Sequence, residues 1–173
     1  MEYKIIVRKV KVPRVEMRDG EIRVIVSPEI DPSVVIKKAR SWIERKIKEQ
    51  EIMKKEAERL SIIKRSDEEF KNYVLKRVED FSREIGVKVN AVRFRKMKTR
   101  WGSCSPRGRI SVNTLLRYLP LELIDYVLFH EVLHRRYMNH GPAFKREISK
   151  RFPNWKEKER LLSLYHIKFS GKA

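Results

Sequence analysis

Three of the four histidines, His130, His134 and His140, fall inside the stretch FHEVLHRRYMNHG. Imidazole is the commonest protein ligand for a transition metal, and its neutral ring offers one bare nitrogen. His130 and His134 are four residues apart. On a helix that spacing sets two rings one above the other on a single face, where they converge on one ion. Glu131 follows the first histidine and points about a quarter-turn away, near the ion without being forced to bind it. The pattern H-E-x-x-H is that of two zinc ligands with a carboxylate held as general base. Amide hydrolysis at neutral pH needs a better nucleophile than free water, and zinc lowers the pKa of water to about 7 while polarising a carbonyl. A catalytic zinc has three protein ligands and one open position. His140, beyond the expected helix end, is the first choice for the third, with Gly141 supplying a turn of unusual φ; Glu147 is the alternative.

These residues need elements to hold them. Pro120 suits a first helical position, and a helix running from there to about Met138 carries the H-E-x-x-H face. Gly141-Pro142 ends it and starts another, with Phe144 and Ile148 inward, and Asn154 caps a last helix with His166 in the tail after it. Upstream, Ser66-Asp67-Glu68-Glu69 has capping-box spacing, and Phe70, Val74, Val78, Phe81 and Ile85 form a helical stripe that Gly86 closes. Residues 87–95 and 110–116 read as strands. At the N-terminus, residues 3–12 and 21–26 form a hairpin around Asp19-Gly20, followed by a helix over about 33–63. The expected division is an N-terminal hairpin and long helix over 1–65 and a catalytic domain over 66–173.

The chain of 173 residues is 41% hydrophobic, enough for a real core. It has no apolar run of the roughly 18 residues a membrane span needs and no signal-peptide pattern at its start, so a cytoplasmic protein without membrane contact is expected. The lone Cys104 excludes an intrachain disulfide and suits a reducing compartment. Abundant Lys, Arg and Glu with a single Gln lean toward a thermophile. The net charge of +19 is unevenly spread: between Glu84 and Glu122 there is no acidic residue, but there are Arg93, Arg95, Lys96, Lys98, Arg107 and Arg109. With Phe94 and Trp101 interleaved, segment 85–121 has the make-up of a nucleic-acid footprint. It equally suits acidic protein substrates.

In order and spacing, RWGSCSPRGRISVN, HEVLH and NHGPAF resemble the YgjP-like (DUF45) zinc metallopeptidases, and more distantly the SprT-like and WLM proteases. The resemblance extends to VEMRDGEIRVIVSP and SWIERKI, so it spans nearly the whole chain; Gly141 stands where the group more often has Ser. It implies an α+β, zincin-like metallopeptidase domain with the metal helix on a short antiparallel sheet. It also implies Zn²⁺ on His130, His134 and His140, Glu131 as catalytic base, and a protein or peptide substrate. In such folds an edge strand beside the metal pairs with substrate backbone, and 110–116 is the candidate here.

Other residues have weaker claims. Trp101 would line the substrate cleft or serve as a packing residue, and Asn113 would hydrogen-bond substrate from the edge strand. Cys104 would approach the metal or be a small buried residue. Tyr137, one turn past His134, would cover the site; His166 has no role. Two function classes therefore stand: a zinc peptidase, some relatives of which act on DNA-associated proteins, and a nucleic-acid-binding zinc module. Glu131 separates them, because a structural metal has no use for a base.

Overall fold

The computed structural model describes residues 2–18 and 20–170. Its class is α+β, with two small mixed sheets and five helices among the described residues. The chain divides into two units, 1–58 and 59–173, ahead of the expected 65/66 division. Residues after 59 hold to the second unit: the Ile63 amide donates to Tyr118 O at 2.9 Å and the Tyr165 hydroxyl to Ser61 O at 2.8 Å.

The first unit has three strands where a two-stranded hairpin was expected. β2 (Arg14–Arg18) and β3 (Glu21–Val26) form the hairpin, and β1 (Tyr3–Val7) pairs in parallel on the other side of β3. Asp19 of the expected turn lies outside the described residues; Gly20 has φ +83°. The central strand β3 buries Ile22, Val24, Ile25 and Val26, as a strand flanked on both sides should. α1 (Pro32–Arg59) follows.

The second unit starts at Ser66, whose side chain accepts from the Glu69 amide while Glu69 answers on the Ser66 amide. This capping box opens α2 (Asp67–Ile85), and Gly86 at φ +70° closes it. A second sheet, ordered β4-β6-β5, comes next: β4 (Ala91–Arg95) parallel to β6 (Arg109–Asn113), and β5 (Gly102–Cys104) antiparallel to it. The sheet is mixed, not antiparallel as expected. A 3-10 turn (Thr114–Tyr118) leads to α3 (Leu121–Leu133), which buries Leu123, Ile124, Leu128, Phe129, Val132 and Leu133. A helix apolar on nearly every side must be enclosed. α2 covers one flank, through a Phe81–Phe129 edge contact and a forked Arg77–Asp125 pair at 2.9 and 3.0 Å. The sheet and α5 (Trp155–Ser170) also pack against it, and α4 (Pro142–Arg151) adds Phe144 and Ile148 to the same core.

Candidate metal centre

α3 stops at Leu133, earlier than the expected Met138, and His134 is its C-cap. Tight i to i+3 bonds from Arg135 and Arg136 replace the last helical turn. The reversal brings the Tyr137 carbonyl to His134 Nδ1 at 3.0 Å. A ring that donates Nδ1–H to a carbonyl has a bare Nε2, which is the tautomer a metal ligand needs. Tyr137 therefore contributes its backbone; its side chain packs on the core.

The chain then returns through Asn139, whose side-chain oxygen accepts the Gly141 amide at 3.2 Å. His140 is carried back over the helix end. His130 Nε2 lies 3.2 Å from His134 Nε2 and 2.9 Å from His140 Nε2. The donor atoms of the three rings all lie within 4.8 Å of one another. Zinc at about 2.0–2.1 Å from nitrogens in a tetrahedron spaces them about 3.3 Å apart, so the set fits such an ion. Phe144 of α4 braces it, its ring centre 4.9, 4.8 and 4.8 Å from those of His130, His134 and His140. The expected unusual φ at Gly141 is absent: φ is −67°, and the residue is the extended N-cap of α4 ahead of Pro142. Glu147 is not in the cluster; it borders a different crevice with Arg136, Lys150 and Arg151.

Burial and the two neighbouring imidazoles push the His130 pKa down to about 3, which keeps the ring neutral and ready to ligate. Glu131 is only 8% exposed. Its pKa is pushed up to about 7 by burial, against the opposing charge of Arg100. Gly102 of β5 stands against it so closely that an added Cβ would lie 2.7 Å from Glu131 Cγ and 2.9 Å from Oε1. The sequence reading missed this residue, although a lone glycine in a strand signals close approach of another group.

Asn113 is the clearest correction. It is fully buried, and its carboxamide is spent inside the chain, donating to Met97 O at 2.8 Å and Arg100 O at 2.7 Å and accepting from the Leu115 amide at 3.1 Å. It ties down the turn that delivers Trp101 and Gly102 and has nothing left for substrate. Nor is 110–116 an edge strand: β6 ends at Asn113 and lies between β4 and β5. The outer strand beside Glu131 is β5.

Trp101 is 7% exposed and donates its indole N–H to Leu162 O at 3.1 Å. Its ring lies against that of His166, the centres 4.2 Å apart and the planes tilted by 35°. His166 is on α5, half-buried, and not in a tail. Both border a hollow of about 400 Å³ that also reaches Gly102, Glu131 and His130. Cys104 is half-buried on β5 and outside the converging donors; burial and the Glu131 charge push its thiol pKa up. Of the acid-free segment, Arg93, Arg95 and Arg109 share the outward face of the second sheet by strand register. No helix among the described residues is long and apolar enough to cross a membrane.

A search of curated proteins finds no match. Among solved structures, the metallopeptidase zymogen of Pyrococcus abyssi abylysin is 28% identical over 50% of this chain and 87% of its own, with a TM-score of 0.45. The zymogen of Methanocaldococcus jannaschii jannalysin is 22% identical over 53% of this chain and 92% of its own, also at 0.45. Residues 49–165 match the sequence profile described as YgjP-like, metallopeptidase domain. With most of its length inside that match, and the histidine cluster within it, this chain belongs to the YgjP-like family of metallopeptidase domains.

Proposed function

We infer that the chain is a zinc-dependent peptidase of the HExxH-x5-H type, in which His130, His134 and His140 hold the ion and Glu131 is the base. The convergence of three ring nitrogens, with Glu131 bordering the same hollow as His130, carries this reading. Zinc held there would supply a Lewis acid that acidifies water and polarises a carbonyl. Glu131 takes the proton from the attacking water and returns it to the leaving amine. It reaches the hollow of about 400 Å³ that His130 also borders, where a substrate carbonyl and water would meet. β5, the outer strand alongside Glu131, is the edge on which an extended peptide would lie by strand addition, with Trp101 bordering its path. Main-chain pairing reads no sequence, so the substrates are proteins or peptides of varied sequence. A reducing cytoplasm, which suits the lone Cys104, is the compartment in which this activity would operate.

The test is Glu131→Gln. The variant should bind zinc in the same one-to-one amount as wild type, while casein cleavage falls by about 100-fold or more. Equal zinc with equal activity would remove Glu131 from the mechanism; zinc with no cleavage by either protein would remove the peptidase reading.

One observation favours a second activity alongside the first. Arg93, Arg95, Lys96, Lys98, Arg107 and Arg109 are exposed and make no ion pair with a described residue. A polyanion, nucleic acid above all, would satisfy the sheet face that Arg93, Arg95 and Arg109 share, and a peptidase holding it would act on proteins bound there.

A further inference from the structure

A second, smaller hollow opens on the other side of His130. Tyr126 of α3, Phe144 and Ile148 of α4 and Trp155 of α5 wall it, and His130 and His140 close the end toward the histidine cluster. Its volume is about 150 Å³. An apolar cavity of about that size takes up one benzene ring. The polar groups at its border are few. The Tyr126 hydroxyl is turned onto Glu159, donating to its carboxylate at 3.0 Å, and Lys145 stands at the exposed rim. The larger hollow, with Glu131 and Gly102, shares Tyr126, His130 and Glu159 with the smaller one. The two therefore meet at His130: one beside the base, wide enough for main chain, the other apolar and sized for one side chain.

We propose that the smaller hollow is a substrate subsite, selecting a phenyl-sized or branched apolar side chain next to the bond that is cut. The proposal rests on the peptidase reading and deepens it, since it names the substrates on which that chemistry acts. Two of its lining residues are the histidines expected to hold the ion, so a peptide with its carbonyl at that point has a flanking side chain within reach of the hollow. An apolar wall rewards each buried methylene and strips water from a charged side chain, so an acidic one is disfavoured even though Lys145 and Glu159 both stand at the border. Phe, Leu and Met fill the space; an indole exceeds it, and Ala leaves it empty.

The zinc-loaded full chain is used to digest a mixture of unfolded proteins, and cut sites are read by mass spectrometry. One position flanking the cut should favour Phe, Leu or Met over Ala by about tenfold or more, with Asp and Glu excluded. Ile148→Phe, which fills the hollow, should move the preference toward Ala. Trp155→Ala, at a half-buried wall, should raise relative cutting beside Trp, and carries the test if Ile148→Phe does not fold. Cleavage with no preference at any flanking position, or a preference that neither variant alters, overturns the subsite and leaves the peptidase standing. Binding is read separately with benzyl alcohol on the Glu131→Gln protein, following the Ile148 methyl signals by NMR. A shift at Ile148 and none at Ile85 supports the hollow as an aromatic site even where wild type cleaves nothing, so that only the peptidase reading falls. No shift at Ile148 overturns the subsite.

Discussion

Gly102 and Glu131 meet where a strand edge crosses a helix, and one hydrogen atom makes room for a carboxylate. With the Cβ of an alanine 2.7 Å from Glu131 Cγ, that carboxylate must turn away, because backbone paired to β6 cannot. Gly102→Ala should therefore keep the fold and the metal and lose turnover. About tenfold or more in kcat with little change in KM is expected, since a displaced base affects the chemical step more than binding. Steady-state kinetics with metal analysis check it, and an unchanged kcat would mean that the carboxylate has room to spare. His166 makes a different prediction. Burial holds its pKa below that of a free imidazole, so the unfolded chain binds the proton first as pH falls through about 6.5. Its contribution is thus full above that pH and is lost progressively below it. His166→Phe retains an aromatic partner for Trp101 and removes the proton. Thermal unfolding followed from pH 7.5 to 5 should fall less steeply for the variant than for wild type; parallel curves would show that the ring is not protected.

At the scale of elements, what the sequence made legible was local. The Ser66–Glu69 capping box, the left-handed Gly86, Pro142 in the first turn of α4 and the shared face of His130 and His134 each depend on residues within one or two turns of each other. Strand neighbours are not local. The stretch 110–116 reads as a strand, but nothing in its residues tells a central strand from an outer one. The partner that makes β6 central is β5, only three residues long and opening on a glycine. Asn113 was misjudged for the same reason: its partners Met97 and Arg100 are brought to it by a turn whose course depends on the strand order. The N-terminal sheet repeats the lesson, since β1 joins β3 in parallel across the intervening hairpin strand. The end of α3 was obscured by favourable helix formers after His134. Where the helix ends, the His134 imidazole meets the Tyr137 carbonyl, a contact that local propensity does not register.

Across the molecule, a net charge of +19 would favour polyanions as partners, but only its distribution would give the attraction an address. α1 interleaves its cations with Glu44, Glu49 and other acids and pairs several of them, as in Arg40–Glu44 and Lys46–Glu49. That helix keeps an excess of cations, nine against five acids, but its charge is partly offset along its length. On the second sheet, Arg93 and Arg95 of β4 and Arg109 of β6 point outward together, with no acidic residue from 85 to 121 to offset them. If that face holds duplex DNA, each phosphate it neutralises releases counterions, and log K must fall linearly with log salt by about 0.9 per contact. Replacing Arg93, Arg95 and Arg109 together by Ser should then weaken binding at every sequence tested and flatten the salt slope by roughly 2.7. Because these side chains lie on the sheet face turned away from the core, zinc content and peptide cleavage in the absence of DNA should be unchanged. Fluorescence anisotropy on a labelled duplex from 50 to 300 mM salt measures both quantities. A slope that the triple substitution leaves intact would move the contact to another surface, and affinity indifferent to salt would end the polyanion reading while leaving the metal centre untouched.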